Sequence, residues 1–219
     1  MYFCSCIIQV NMTDEDYINE IKKKDKEGIK QLWAEHVQNK KGGSIFWKSG
    51  KLFEYVILRA FEIEMSDRNS NFGINQVTYP FSVSCPDFGD ESKGVLEQID
   101  GAIFVDGLFS LIECKDYEKN KIDVEPLSKL RNQLIRRHGN LFGMFFSMTP
   151  FTTPASIQVQ FMAPQIIILW EFEDIDYCME NSCFIDCMKW KYEMAVECCE
   201  YYLSYKTYKN RITTCNPLF

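Results

Sequence analysis

Residues 98–115 read QIDGAIFVDGLFSLIECK, and two apolar runs in this stretch lie on either side of Asp106-Gly107. Asp-Gly is a favoured two-residue loop between antiparallel strands, because both loop positions need a backbone conformation that Asp and Gly tolerate. The stretch therefore predicts a β-hairpin. Both faces of the hairpin are largely apolar, so we expect helices to cover it on each side.

The two-residue loop fixes the register of this hairpin. Val105 pairs with Leu108, and the residue numbers of every further pair have the same sum, which places Asp100 opposite Glu113. Directly opposed residues point to the same face, with Cβ atoms about 4.5–5.5 Å apart. Lys115 lies two residues beyond Glu113 and shares its face, because side chains alternate along a strand.

Two carboxylates and one ammonium group are thus predicted at one end of an apolar hairpin. Opposed like charges repel, and buried charges are costly unless they are paired or bind a metal. A hard divalent cation removes this conflict, because Mg²⁺ is held by one or two carboxylates together with waters and phosphate oxygens. The alternative is an exposed hairpin end at which Lys115 simply neutralises Glu113.

The sequence around the hairpin predicts alternating helices and strands. Upstream, Ser49 is placed to cap a helix over residues 51–65, and residues 74–83 alternate as a strand. Downstream, Pro126 and Gly139 mark the first turn and the end of a helix. The downstream elements are a helix over about 125–138, a strand over 141–148, a short helix over 154–162 and a strand over 166–172. This order predicts an α/β fold.

Helical segments flank this predicted core. Thr13 is placed to cap the first of two N-terminal helices, which are broken near residues 25–28, and the chain is helical and rich in aromatic residues from Asp174 onward. We therefore predict a helical N-terminal extension over residues 1–48, a core over 49–173 and a helical C-terminal segment over 174–219.

The composition favours an intracellular protein. No apolar run approaches the roughly 18 residues that span a bilayer, and the first ten residues lack the features of a secretory signal. Of the ten cysteines, Cys114 lies in an apolar strand-like run, and Cys198 and Cys199 are adjacent in a helical pattern, which favours free thiols in a reducing compartment. We expect a soluble, cytoplasmic protein without membrane partners. The formal net charge of −7 argues mildly against nucleic-acid binding, although a basic patch can coexist with an acidic metal site.

The hairpin resembles the PD-(D/E)xK nuclease superfamily, whose signature is an acidic residue, a hairpin and then Glu-x-Lys on the neighbouring strand. The matching residues are Ile99-Asp100-Gly101 and Glu113-Cys114-Lys115, with Ile99 in place of the proline of the signature. The order of elements downstream, with Phe151-Thr152-Thr153-Pro154-Ala155 between strands, is similar to the Mrr-like branch of restriction nucleases. The resemblance covers roughly residues 51–173.

The resemblance implies a restriction-endonuclease-like core, in which helices flank a mixed central sheet. It also implies that Asp100 and Glu113, with the backbone carbonyl of Cys114, bind Mg²⁺, with Mn²⁺ as an alternative metal. The metal would lower the pKa of a bound water, and Lys115 would orient that water and offset charge on the phosphorane. Glu54, on the helix before the sheet, is a further candidate catalytic residue, and Glu62 competes with it.

The helix after the signature is the most basic stretch of the chain. Gln133 lies where relatives carry a polar residue near the site, and this helix is expected to contact the phosphate backbone. The candidate nucleic-acid contacts are Gln133, Lys129, Arg131, Arg136 and Arg137, together with His138. A solvated helix face with cations near its C-terminus is the alternative.

These observations predict a metal-dependent DNA endonuclease. The resemblance to the Mrr-like branch implies a role in defence against foreign DNA, with DNA repair as the alternative. A homodimer is expected, because cutting both strands needs two active sites or two encounters. Two alternatives stay open: an inactive binding or scaffold module of the same fold, and a nuclease acting on RNA or branched DNA. Competing sites have weaker signals: a cysteine nucleophile with His36 or His138, a zinc site at Cys183 and Cys187, and an iron–sulfur site at Cys4 or Cys6 with Cys178, Cys183 and Cys187.

Overall fold

The structure is a computed structural model that describes residues 12–38, 47–48, 50–68, 75–84, 94–137 and 139–215. The helices are α1 (Asp14–Lys22), α2 (Lys26–Gln38), α3 (Lys51–Asp67), α4 (Val124–Ile135), α5 (Thr153–Gln158), α6 (Phe172–Asn181), α7 (Phe184–Cys198) and α8 (Tyr205–Cys215). The strands are β1 (Gln76–Thr78), β2 (Phe81–Ser84), β3 (Val95–Ile99), β4 (Gly101–Val105), β5 (Leu108–Lys115), β6 (Leu141–Ser147) and β7 (Ile167–Glu171).

Five of the described strands form one mixed sheet in the order β1-β4-β5-β6-β7. Strands β1, β4 and β5 pair in antiparallel fashion, whereas β5, β6 and β7 are parallel. The predicted α/β fold with a mixed central sheet flanked by helices is therefore confirmed. Strands β2 and β3 form a separate antiparallel pair, and β3 leads directly to Asp100.

The hairpin of β4 and β5 has the predicted register. Its pairs run from Val105↔Leu108 to Gly101↔Ile112, with the constant sum that the Asp106-Gly107 loop requires. Asp106 and Gly107 have φ angles of 50° and 82°, which lie in the left-handed region expected of this turn.

Helices cover both faces of the sheet, as expected for a hairpin that is apolar on each side. On one face, helices α1, α2, α3, α6 and α7 contribute to the core that contains Ile112, Phe146 and Trp170. On the other face, α4 and α5 pack on Leu111 and Phe145. The alternation of the strands assigns neighbouring residues to opposite cores, so Cys114 lies in the first core whereas Glu113 points toward α4.

Gly101 brings α3 against the start of β4. A Cβ atom at this position would lie 2.6 Å from Leu58 Cδ2 and 3.1 Å from the carbonyl oxygen of Thr78. Because Leu58 packs directly on the backbone beside Asp100, Glu54, one helical turn earlier on α3, is held near the same end of the hairpin.

The prediction of one strand over residues 74–83 is wrong. The chain forms β1 and β2 there, and these belong to different sheets on either side of Tyr79 and Pro80. Proline has no N–H to donate to a ladder, so the strand is interrupted at Pro80. The separate strand β3 was not predicted.

Two helix boundaries also differ from the prediction. Helix α4 was expected to run to His138, but it ends at Ile135, because the basic residues that follow turn toward β3. The N-cap of α3 is Gly50, whereas Ser49, the expected cap, lies outside the described residues, as does His138. The predicted N-cap at Thr13 is confirmed, and the structure adds a capping box with Asp16.

Candidate active site

Three of the predicted catalytic residues meet at one end of the β4–β5 hairpin. Asp100 immediately precedes β4, and Glu113 and Lys115 lie at the end of β5. The register that ends at Gly101↔Ile112 places Asp100 opposite Glu113 by one further step. This end of β5 is also the carboxyl edge of the parallel strands β5, β6 and β7, where open α/β sheets commonly place their ligands.

Glu113 is a buried carboxylate that is neutralised by two ammonium groups. Its side chain has no exposed surface. Lys115 Nζ lies 2.5 Å from Glu113 Oε1, and Lys129 Nζ of α4 lies 3.1 Å from Oε1 and 3.2 Å from Oε2. A buried carboxylate needs such partners, because an unpaired charge in a low dielectric is strongly unfavourable.

The side chain of Asp100 takes the place of a strand partner for the backbone N–H of Cys114. Its Oδ2 accepts a hydrogen bond of 2.8 Å from the backbone N–H of Cys114, which lies beyond the last residue pair of β4 and β5. The N–H and C=O of a strand residue point to the same side, so the carbonyl of Cys114 also faces the side of Asp100. Burial, and next the charge of Glu113, raise the pKa of Asp100. The charge of Glu113 thus opposes the ionisation of Asp100.

Glu54 lies near the same site on α3. Its side chain is 14% exposed, and Oε2 accepts a hydrogen bond of 2.8 Å from Lys51 Nζ. Burial, and next the charge of Asp100, raise the pKa of Glu54 to about 7. Glu62, the competing candidate, instead accepts hydrogen bonds from Tyr79 Oη at 2.8 Å and Arg59 Nη1 at 2.7 Å. The structure therefore places Glu54, and not Glu62, in electrostatic contact with Asp100.

Stability should fall as pH rises through neutrality, and Glu54→Gln should reduce this fall. The pKa of Glu54 is higher in the folded chain than its ordinary value of 4.5, so the folded state binds more protons between about pH 4.5 and pH 7. The stabilisation is complete below pH 4.5 and is lost as pH rises through about 7, by at most about 3 kcal/mol. Urea unfolding of the unaltered protein and of Glu54→Gln at pH 5 and pH 8 measures this change in stability. Equal pH dependence in the two proteins would contradict the assignment.

The donor atoms at the site fit a hard divalent cation. Asp100, Glu113 and the carbonyl of Cys114 offer oxygen ligands, which Mg²⁺ and Mn²⁺ prefer. Within the described residues, no group of three His, Cys, Asp or Glu side chains is arranged to hold a metal ion by itself. Two carboxylates and one carbonyl suit a site of the Mg²⁺ type, because Mg²⁺ keeps several waters and shares its remaining positions with substrate phosphate.

Helix α4 contributes to the site in a different way from that predicted. Lys129 reaches Glu113 itself and thus lies at the candidate site beside Lys115. Gln133 is 2% exposed, and its Nε2 donates a hydrogen bond of 3.1 Å to the carbonyl of Gln98, two residues before Asp100. Gln133 Oε1 is buried and makes no hydrogen bond within the described part of the chain. Gln133 therefore supports the strand that leads to Asp100.

Arg131 of α4 and the two arginines that follow its last residue, Arg136 and Arg137, are not a freely solvated row. Arg136 Nε lies 2.7 Å from Glu97 Oε1, and Arg137 Nη2 lies 2.8 Å from Glu97 Oε2, so both cations bind one nearly buried carboxylate of β3. Arg131 Nε is buried and has no hydrogen-bond partner among the residues that the structure describes. The Arg136 side chain remains 55% exposed at the edge of this cluster.

Two pairs of side chains beside the site were not predicted from the sequence. Lys51 pairs with Glu54, and its Nζ lies 3.8 Å from Asp14 Oδ1 of α1. His36 Nε2 of α2 lies 3.4 Å from Asp116 Oδ1, next to Lys115, but the geometry is not that of a hydrogen bond. The i, i+3 spacing of Lys51 and Glu54 was a local signal for the first pair. No local signal indicates the second, because it joins distant segments.

Comparisons with known proteins give limited similarity. No protein-family model matches the chain, and no curated protein sequence matches it. The crystal structure of AF1548, a protein of unknown function, has a TM-score of 0.36 and 14% identity over 52% of this chain and 57% of that chain. The MspJI restriction endonuclease in complex with a 27-mer oligonucleotide has a TM-score of 0.37 and 12% identity over 80% of this chain and 35% of that chain. This chain thus spans just over half and about a third of the lengths of these two proteins.

No helix in the described residues combines the length and the apolar character that crossing a bilayer requires.

Proposed function

We propose that this protein is a metal-dependent endonuclease that hydrolyses phosphodiester bonds in DNA. The observation that carries the proposal is the convergence of Asp100, Glu113 and Lys115 at the end of the β4–β5 hairpin, with Lys115 Nζ 2.5 Å from the buried Glu113. Packing gains nothing from two opposed acids at this position, whereas phosphodiester hydrolysis uses them. The resemblance of the same residues to the PD-(D/E)xK signature supports this function.

Asp100, Glu113 and the carbonyl of Cys114 would hold Mg²⁺ or Mn²⁺. The bound cation would polarise the scissile phosphate and lower the pKa of a water molecule. Lys115, whose side chain is 23% exposed, would orient the attacking water and offset negative charge that develops on the phosphate oxygens. Glu54, whose carboxylate accepts a hydrogen bond of 2.8 Å from Lys51 Nζ, would hold a water molecule near Asp100.

Lys129 has two roles in this proposal. Its ammonium lies 3.1 Å and 3.2 Å from the two carboxylate oxygens of Glu113, where it supplies positive charge that a cation would also supply. Its side chain is 48% exposed, so it is free to turn away from Glu113 toward a substrate phosphate when the carboxylate takes another partner. Lys129 would therefore compete with the cation in the free protein and assist substrate binding in the complex.

Lys129→Met is expected to affect metal binding and cleavage in opposite directions. Affinity for Mn²⁺ in the absence of DNA should rise about tenfold, or roughly 1.4 kcal/mol, because a competing charge is removed. The rate of DNA cleavage at low substrate concentration should fall. Calorimetric titration with Mn²⁺ and a cleavage assay measure the two effects. Lys119→Met, at an exposed lysine, is the matched control, and unchanged or weaker Mn²⁺ binding in Lys129→Met would contradict the proposal.

The DNA backbone would lie along the side of the sheet that α4 covers. Lys129 and Arg131 are its candidate phosphate contacts, and Arg136 and Arg137 would reach phosphates from the cluster that they form with Glu97. Gln133 would act by holding the chain before Asp100 rather than by touching DNA. The proposal also includes a homodimer, a cytoplasmic location and a role in defence against foreign DNA. Analytical ultracentrifugation measures the oligomeric state.

A substrate panel tests the proposed function. The purified chain is incubated with supercoiled plasmid, linear duplex, single-stranded DNA, branched DNA and RNA, each with Mg²⁺ and with EDTA. The proposal predicts cleavage of DNA that needs the metal. Cleavage of RNA or of branched DNA alone would assign the same site to another substrate. Binding of nucleic acid without any metal-dependent cleavage would favour an inactive scaffold.

A further inference from the structure

Three cysteines meet where α6 is followed by α7. Cys178 lies in the last turns of α6, Cys183 is the N-cap residue of α7, and Cys187 lies one turn into α7. The sequence had allowed these three residues as part of an iron–sulfur site, together with Cys4 or Cys6, which lie outside the described residues. The proposed nuclease site uses none of these thiols.

Two of the three thiols are adjacent. The Sγ atoms of Cys178 and Cys183 are 3.9 Å apart. The backbone fixes this proximity, because the N–H of Cys183 donates a hydrogen bond of 3.3 Å to the carbonyl oxygen of Cys178. A disulfide requires an S–S distance of about 2.05 Å, so the two sulfurs must approach by roughly 2 Å for the bond to form.

The two thiols differ in access and in acidity. Cys178 is fully buried, whereas Cys183 is half-buried. The contact with Cys178 lowers the pKa of Cys183, and burial raises the pKa of Cys178. The N–H groups at the start of α7 do not add to this effect, because Phe184 and Ile185 donate theirs to the buried carboxylate of Glu64. An accessible thiol of lowered pKa beside a sheltered one is the arrangement of a nucleophilic and a resolving cysteine.

We propose that Cys183 is a site of oxidation by hydroperoxides and that Cys178 resolves the product into an intramolecular disulfide. In the first step the Cys183 thiolate attacks one oxygen of the O–O bond, which breaks; Cys183 becomes a sulfenic acid, and the other oxygen leaves as an alcohol or water after taking a proton. In the second step the Cys178 sulfur attacks the Cys183 sulfur. The S–O bond breaks, and hydroxide leaves with the Cys178 proton as water.

A metal site made of the three thiols fits the structure less well. Within the part of the chain that the structure describes, no three cysteine, histidine or acidic side chains are arranged to hold a metal ion. Cys187 is fully buried, and burial raises its pKa, which opposes the thiolate form that a metal needs. The pair formed by Cys178 and Cys183 has what disulfide formation requires without Cys187.

Peptide mapping after graded oxidation tests the proposal. The folded full-length protein is treated with increasing equivalents of hydrogen peroxide, alkylated in denaturant and cleaved after glutamate. Glu180 lies between the two cysteines, so a disulfide leaves two peptides joined by a bond that a phosphine reductant breaks. We expect the joined Cys178 and Cys183 peptides to appear while Cys114 and Cys187 remain alkylated. Oxidation in urea should lose this selectivity.

Three variants separate the roles of the thiols. In Cys178→Ser the joined peptides should disappear, and dimedone should label a sulfenic acid at Cys183. In Cys183→Ser, which changes the half-buried position and keeps the buried thiol, both the joined peptides and the label should be lost. Cys187→Ser should still form the disulfide. The proposal is overturned if the exposed Cys198 and Cys199 are oxidised while Cys178 and Cys183 stay alkylated, or if the joined peptides depend on Cys187.

Discussion

Lys115→Met is expected to slow DNA cleavage about 10²- to 10³-fold under single-turnover conditions, the effect of removing one preorganised donor from a developing negative charge. The substitution keeps the length of the side chain and removes the ammonium that lies 2.5 Å from Glu113 Oε1. Glu113 retains Lys129 as a partner, so the fold and the acidic pair remain. Rapid-quench kinetics with Mg²⁺ and excess enzyme measure the loss.

The matched control for this variant is Lys119→Met, which removes an exposed lysine four residues further along the chain. Its cleavage rate should equal that of the unaltered protein. A Lys115→Met protein that cuts DNA at the normal rate would show that the ammonium takes no part in the reaction. Equal losses in both variants would instead indicate a general effect of charge on DNA binding, which higher salt would reveal.

Lys191→Met is expected to lower the free energy of unfolding by about 3–5 kcal/mol, because it leaves a buried charge without its partner. Lys191 is 3% exposed, and its Nζ lies 2.7 Å from Asp174 Oδ2. The same ammonium donates to the carbonyl oxygens of Leu169 at 3.1 Å and Leu203 at 2.5 Å, and so joins α6, α7, β7 and the segment before α8. Denaturant unfolding measures the loss.

The double variant Lys191→Met, Asp174→Asn should recover part of that loss, because no unpaired charge stays in the interior. Lys189→Met, two residues earlier on α7, is the control: Lys189 pairs with Asp106 at the surface and should contribute at most about 1 kcal/mol. If Lys191→Met were no less stable than Lys189→Met, the buried pair would not hold the C-terminal helices to the sheet.

The centre of the fold could be predicted because one turn determines it. The Asp106-Gly107 loop permits a single register, and that register places Asp100 opposite Glu113. The prediction for the region upstream was wrong for a physical reason. Residues 74–83 alternate as one strand would, but Pro80 interrupts the ladder, and the chain continues in a second sheet. Alternation alone does not report which sheet a strand joins.

The positions of the site residues could be predicted where neighbours in the sequence or in the hairpin register form the site. They could not be predicted where distant segments of the chain meet. Asp100, Glu113 and Lys115 follow from the hairpin alone. The contact of Lys129 with Glu113, and the binding of Arg136 and Arg137 to Glu97, depend on how α4 is rotated over the sheet and on where β3 lies. A helix of basic residues read in isolation therefore predicts a solvated or DNA-facing surface, whereas packing uses part of it within the protein.

The most direct test of the metal site is a Mn²⁺ titration of the purified protein, followed by electron paramagnetic resonance, in parallel with Asp100→Asn and Glu113→Gln. We predict that the unaltered protein binds Mn²⁺, that Mg²⁺ displaces it, and that each variant weakens binding by more than the roughly 10- to 100-fold cost of losing a supporting contact. Glu125→Gln, at an exposed glutamate of α4, should bind normally. Mn²⁺ binding that is absent in the unaltered protein, or unchanged in both acidic variants, would contradict the assignment of Asp100 and Glu113 as metal ligands.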